Sequence, residues 1–157
     1  MKIELWVIGK TSASWIDNGI NEYLKRLKSL QSVDFVVFND VKNAKALPIA
    51  NLKQKEGEIV LQKLTSEDYL VICDDKGKEY SSENFAVWIE RTSNMSKKRI
   101  IFLIGGAFGF SNDIYDRANE KISFSKMTFS HQMIRVIVLE QIYRGYSILK
   151  NLPYHHA

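Results

Sequence analysis

The stretch Ile100-Ile101-Phe102-Leu103-Ile104, closed by Gly105-Gly106-Ala107-Phe108-Gly109, decides the fold class. An unbroken apolar run without alternation fits a strand buried on both faces, not one with a solvated side. The glycine-rich loop behind it is a turn that lets backbone approach whatever lies beside it. Working outward, similar runs occur at Ile3–Ile8, Val33–Phe38 and Tyr69–Cys73, with a short one near Ile122–Phe124. Helical patterns lie between them, near Ser14–Leu30, Ile49–Leu64, Ser82–Thr92 and Asn112–Asn119. A final helix is expected from about Gln132 to Lys150. Ser81 and Ser111 stand where helix-capping residues belong. Strands alternating with helices predict an α/β fold with a mostly parallel sheet and helices on both faces. No repeat, low-complexity tract or Pro/Gly-rich linker interrupts the pattern, so residues 1–157 are read as a single domain.

The chain of 157 residues, 45% hydrophobic and 25% charged, has the composition of an ordinary globular domain. That excludes a disordered chain, a collagen and a disulfide-stapled miniprotein. The net charge of +4 is not evenly spread: residues 1–120 hold 17 basic and 17 acidic side chains. The excess therefore sits in Lys121, Lys126, Arg135, Arg144 and Lys150 against the single acid Glu140. Two readings stand open for it, a solvated helix face or a contact surface for an anionic partner. The lone cysteine, Cys73, lies in an apolar run and reads as a buried small hydrophobe. One cysteine allows no internal disulfide, which fits a reducing compartment. No signal-like segment opens the chain and no apolar stretch reaches membrane-spanning length, so a soluble, cytoplasmic protein is expected.

Gly9-Lys10-Thr11 imitates the end of a phosphate-binding loop, but the required first glycine falls on Glu4, inside a strand. A carboxylate there supplies no turn and repels phosphate, so nucleotide hydrolysis is rejected. The glycine loop at Gly105–Gly109 follows the fourth strand and not the first, so it is no dinucleotide fingerprint either. It does lie at the carboxyl end of a strand, where open α/β sheets bind ligands. Asp74-Asp75-Lys76-Gly77 is expected to close the third strand at the same edge, as a polar turn or as part of a ligand rim. The segment Ile122-Ser123-Phe124-Ser125-Lys126-Met127-Thr128-Phe129-Ser130-His131-Gln132 interleaves hydroxyls with apolar residues, suited to walling in a ligand. Its plainer reading is a strand end followed by a cap at Ser130. In the last helix His131 and Arg135 share a face, and Glu140 can pair with Arg144. Arg135 and Arg144, about 180° apart around the axis, must serve different neighbours. The tail histidines His155 and His156 have too few companion ligands for a metal site, and no metal is expected.

FLIGGAFGFS, followed by ISFSKMTFSHQMIRVIVLEQIYRGYSILKNLPYHH, resembles the signature of the ribosomal RNA large-subunit methyltransferase H family of SPOUT methyltransferases. KIELWVIGK, the EYLKRL helix and KEGE at Lys55–Glu58 also fit, so the resemblance covers the whole chain. It implies a C-terminal trefoil knot, which periodicity could not reveal, and a homodimer. It implies S-adenosylmethionine as methyl donor, and methylation of N3 of a pseudouridine in 23S rRNA, in the setting of the ribosome. Donor contacts carried over by the resemblance fall on Cys73, Gly105 and Phe124, Ser125, Lys126, Met127, Thr128 and Phe129. The family often has an aliphatic residue where Cys73 stands, a departure that matters little for a backbone contact.

Tyr154, His155 and Arg144 match positions on the substrate side, where two subunits are thought to build one composite site. Methyl transfer from a sulfonium to nitrogen is a single displacement that needs alignment more than covalent catalysis. The imide proton on N3 must leave, so His155 is expected to accept it and Arg144 to stabilise the developing anion. A non-catalytic RNA-binding dimer of the same fold, or a methyltransferase acting on tRNA, are the alternatives. An intact donor segment speaks against the first, and small size without an added RNA-binding domain against the second.

Overall fold

Each apolar run is a strand, and each strand is followed by a helix packed back onto the sheet. The computed structural model describes residues 1–156. Its elements are β1 (Lys2–Ile8), α1 (Ser14–Leu27), β2 (Val33–Phe38), α2 (Ile49–Leu61), β3 (Asp68–Glu79), α3 (Ser82–Ser93), β4 (Arg99–Ile104), α4 (Asn112–Arg117), β5 (Glu120–Ser123) and α5 (Met133–Leu149). A short 3-10 turn, Ala44–Ala46, precedes α2. All pairings are parallel and the strand order is β2-β1-β4-β3-β5.

Side-chain alternation along each strand divides the core into two layers. Ile3, Leu5 and Val7 of β1 and Ile100, Phe102 and Ile104 of β4 meet α1, α3 and α5 through Ile20, Trp88, Val138 and Leu139. Trp6, Ile8, Ile101 and Leu103 point to the other face, under Val60 of α2 and Ile114 of α4. The sheet is therefore covered on both sides, which is why its central strands carry no polar alternation. β1 connects outward to β2, whereas β4 connects past β3 to β5. The carboxyl ends of β1 and β4 thus flank a topological switch point, where open α/β sheets leave a crevice for a ligand.

Three predicted helix ends move, each for a physical reason. α1 and α2 stop at Leu27 and Leu61, short of Leu30 and Leu64. In each, tight backbone bonds turn the chain, from Leu30 N to Leu27 O and from Leu64 N to Leu61 O. Leu30 and Leu64 still pack on the core, so their apolar spacing outlasts the helix. α4 likewise ends at Arg117, because Asn119 N bonds to Leu70 O and recruits the chain to the sheet.

The larger correction concerns Asp74–Gly77, which does not end the third strand. Cys73 pairs with Ile122, four residues bulge out, and Lys78 pairs with Ile122 again, carrying β3 on to Glu79. A Cβ on Gly77 would stand 2.6 Å from the carbonyl carbon of Ile122 and 2.7 Å from its nitrogen, so only glycine lets the bulge lie against β5.

The amino-terminal edge of the sheet is tied by charge. Asp68 and Glu4 are buried, and Arg99 bridges them at 2.7 Å and 3.1 Å. Trp6 donates its indole N–H to Glu4 and lies under the Arg99 guanidinium. Thus the residue that ruled out a phosphate loop, Glu4, is a structural carboxylate.

Candidate active site

At the carboxyl edge of the sheet, the bulge in β3 and the ends of β4 and β5 open into a cavity of about 470 Å³. That is within the usual range for a small-molecule site. Its walls include Ile104, Ile122, Phe124 and Ile134, and its rim includes the glycine loop Gly105–Gly109 and the bulge residues Asp74, Asp75 and Lys76. Most of the residues the resemblance marked for the donor meet here: Cys73, Gly105, Phe124, Ser125, Met127, Thr128 and Phe129 all line the cavity. Lys126 does not; its side chain points to solvent and approaches Glu79 at 3.9 Å.

The segment after β5 is shaped by its own hydroxyls. Ser123 Oγ donates to the Ser125 carbonyl, and Ser125 Oγ accepts the Met127 amide. Ser130 Oγ accepts the amide of Met133 and so caps α5, as its plainer reading held. The segment is a pocket wall and a helix entry at once. Asp74 accepts the Tyr115 hydroxyl and the Lys76 amide at 2.8 Å. Despite partial burial, these bonds hold its carboxyl below the usual range, so the rim aspartate stays charged. Burial pushes the Cys73 thiol far up, which leaves it protonated and unreactive at neutral pH.

The two arginines of α5 do serve different neighbours. Arg135 is fully buried and donates to the carbonyls of Ile8, Gly9 and His131 and to Thr11 Oγ1. It clamps the end of β1 to the start of α5. His131 lines the cavity, and burial together with Arg135 lowers its pKa.

Arg144 belongs to a second cluster. Its Nε donates to Glu140 at 3.0 Å, and its guanidinium lies 4.8 Å from the ring centre of Tyr154. The Tyr154 hydroxyl donates to Glu140 and meets Tyr23; burial and these contacts raise its pKa. His155 sits between Arg144, 3.3 Å from Nδ1, and Glu83, 2.8 Å from Nε2. Arginine only donates, so Nδ1 must be the acceptor and Nε2–H the donor to Glu83. Glu83, at the start of α3, is held down to about 2, first by its own backbone amide and then by His155. Arg144, Tyr154 and His155 are therefore brought together by the folding of the tail onto α5. They do not join the cavity: Ile134 to Arg144 is about 15 Å along the helix.

Two charged residues that sequence reasoning missed stand beside the cavity. Lys53 lines it, and Glu56, one turn further along α2, lies against the glycine loop. The only signal in the sequence was the glycine that follows Glu56 inside a helical pattern, since glycine there is tolerated where something approaches closely.

A parallel α/β sheet with a walled cavity at its carboxyl edge defines a small-molecule-binding α/β protein, and comparison with known proteins gives the class its name. A family model described as "Predicted SPOUT methyltransferase" matches residues 1–155, and the chain belongs to the SPOUT methyltransferase family. Relatives bearing the name Ribosomal RNA large subunit methyltransferase H extend over nearly the whole chain. The protein from Parabacteroides distasonis is 51% identical over 156 residues, covering 99% of each chain. Those from Phocaeicola vulgatus and Bacteroides thetaiotaomicron are 49% and 47% identical over the same length, again with 99% of each chain covered. Among solved structures, a probable methyltransferase from Bordetella pertussis Tohama I superposes with a TM-score of 0.56 at 9% identity, covering 92% of this chain and 96% of that one. A probable methylase family protein from Haemophilus influenzae gives 0.52 at 12% identity, covering 99% of this chain and 70% of that one, so these two support the fold alone.

Proposed function

We propose that this methyltransferase transfers a methyl group from S-adenosylmethionine to N3 of a pseudouridine in 23S rRNA. The observation that carries the reading is convergence. The glycine loop after β4, the Phe124–Phe129 segment after β5 and Cys73 in β3 wall one cavity of donor size in a chain about half identical to full-length large-subunit rRNA methyltransferases. The residues present suit the donor: apolar side chains and free backbone for an adenosine, charged groups at one end for an amino acid. When bound, the donor supplies an activated methyl group for a single displacement.

The chain's own groups then have to orient the acceptor and remove its proton. Arg144 is the candidate for the developing imide anion, and its charge is secured by Glu140. His155 is the candidate proton acceptor, with Glu83 fixing its tautomer as a triad carboxylate would. Its Nδ1 is engaged by Arg144, so release of Arg144 toward substrate frees the lone pair that accepts the proton. Tyr154 holds Arg144 from the ring face.

About 15 Å of helix between this cluster and the cavity argues that one subunit's tail serves its partner's donor pocket. Exposed apolar residues favour such a dimer. Trp15 at the start of α1 and Met133 at the start of α5 are 64% and 36% exposed, and Gln132 ties the two starts together through Ser12 and Lys10. Met127 and Phe129 add further uncovered apolar surface from the adjoining segment. The knotted path, the ribosomal setting and a cytoplasmic location extend the same reading, consistent with no helix among the described residues being long and apolar enough to cross a membrane.

Titration calorimetry with S-adenosylmethionine, then mass mapping of 23S rRNA from a strain lacking the protein, tests the proposal. Donor binding and loss of one methylated pseudouridine are expected. No donor binding would sink the enzyme reading, and an unchanged 23S rRNA would move the substrate elsewhere. His155→Ala is expected to lower turnover about 100-fold or more with donor binding unchanged; near-normal turnover would remove the base role.

A further inference from the structure

The donor cavity has a charged annex that none of the functions above uses. A narrow crevice lined by Lys53, Glu56, Gly57 and Ser111 shares Lys53, Gly105, Gly109 and Phe110 with the cavity wall. It lies beside the switch point between β1 and β4, opposite the β3–β5 end where Cys73 and Phe124 stand. Glu56 packs so closely on the glycine loop that a Cβ on Gly106 would meet its carboxylate oxygens at 2.7 Å. Gly57 serves the same approach from the helix side, because a Cβ there would stand 2.4 Å from Ser111 Oγ.

What distinguishes this annex is unspent bonding capacity. Among the described residues, the side chains of Glu56 and Lys53 take part in no hydrogen bond or ion pair, not even with each other. Ser111 is 6% exposed, yet its Oγ has no hydrogen-bond partner among the described residues. Buried polar atoms are ordinarily satisfied, and an orphan beside an unpaired carboxylate at a ligand cavity indicates bonds reserved for a ligand. Burial and the nearby Asp40 raise the Glu56 carboxyl to about 6, so holding it there unpaired is unfavourable at neutral pH.

We infer that Lys53 and Glu56 form a subsite for the zwitterionic amino-acid end of the donor, Lys53 for its carboxylate and Glu56 for its ammonium. The inference rests on the donor reading above. A free α-amino acid carries one charge of each sign, and α2 presents one of each sign a turn apart. Adenosine recognition is then left to the β3–β5 end, where Ile104, Ile122, Phe124 and Ile134 give the cavity apolar walls. The charged group that acts on Glu56 from another element is Asp40, just beyond the end of β2; Lys53 stands one turn before it on its own helix. Behind Asp40 stand Arg135 and His131.

Titration calorimetry at pH 7.5 with S-adenosylmethionine, S-adenosylhomocysteine and 5′-methylthioadenosine, which lacks the amino acid, separates the roles. Glu56→Gln and Lys53→Met are each expected to weaken the first two by about tenfold and to leave the third within roughly twofold. The wild-type preference for S-adenosylmethionine over methylthioadenosine should shrink as pH falls from 7 to 5, as Glu56 takes up a proton. In Glu56→Gln that preference should be flat, which separates Glu56 from His131. Normal S-adenosylmethionine affinity in both variants, or equal losses for all three ligands, overturns the subsite and leaves the donor reading intact. If the wild type binds none of the three, the donor reading and the subsite fall together.

Discussion

The two edges of the sheet handle charge in opposite ways. At the amino-terminal edge, Glu4, Asp68, Arg99, Trp6 and Lys2 form a closed set in which each charged group meets a partner. At the carboxyl edge, Lys53 and Glu56 meet none among the described residues, and Ser111 Oγ is an orphan beside them. Both edges carry charge that burial disfavours; the first recovers all of it within the fold, whereas at the second Arg135 and Asp74 find partners but Lys53 and Glu56 do not among the described residues. A saturated network holds the protein together, whereas an unsaturated one awaits a ligand.

The sharpest way to break the comparison is to open the saturated edge. Arg99→Met strands two buried carboxylates and is expected to cost about 3–5 kcal/mol, read from the urea midpoint. Glycine substitutions come next. Gly77→Ala pushes a methyl group into the β5 backbone and should cost roughly 2–3 kcal/mol, whereas Gly106→Ala meets only the flexible end of Glu56 and should leave the melting temperature nearly unchanged. Differential scanning calorimetry of the pair shows whether the carboxyl edge yields where the sheet does not.

Acid separates the edges by sign. Glu4 and Asp68 are both shifted down: burial, the largest single influence on each, pushes upward, but the bonds from Trp6, Lys2, Arg99 and Thr65 together outweigh it. Their stabilisation is present above the unfolded carboxylate range and is lost as pH falls through the lowered native values. Glu56 is shifted up, from 4.5 to about 6, so it favours the folded state at low pH and opposes it once pH passes that value. Glu56→Gln should therefore raise the melting temperature at pH 8 by a degree or two, roughly, and leave it unmoved at pH 4. His155→Ala removes a ring that is 17% exposed and bonded to Arg144 and Glu83, and a loss of about 0.5–1.5 kcal/mol is expected, read from the urea midpoint.

The strands were legible to within a residue at β1, β2 and β4: in β1 and β4 residues buried on both faces are apolar, and in the edge strand β2 the β-branched and aromatic residues mark the strand. Helix ends were less legible, since Leu30 and Leu64 remain apolar for the core after the backbone has turned. The cavity was half legible. The Phe124–Phe129 segment announces itself by composition, but its far wall is built by α2 and by the bulge in β3. Asp74–Gly77 has the residues of a strand-ending turn, and only the return of β3 to β5 makes it a bulge. Lys53 and Glu56 look like any exposed helical pair.

Local pattern alone determined the alternation of strand and helix, the two-sided burial of the sheet and the glycine loop at the end of β4. Those properties depend on each residue's preference for water or for the core, which is written in its type. The tertiary structure decided which charges are spent and which are free. Glu4 finds Arg99 across 95 residues of chain, and Glu56 lies against a glycine loop from another strand and finds no partner among the described residues. Pairing is a matter of distance in space, and no spacing along a chain encodes it.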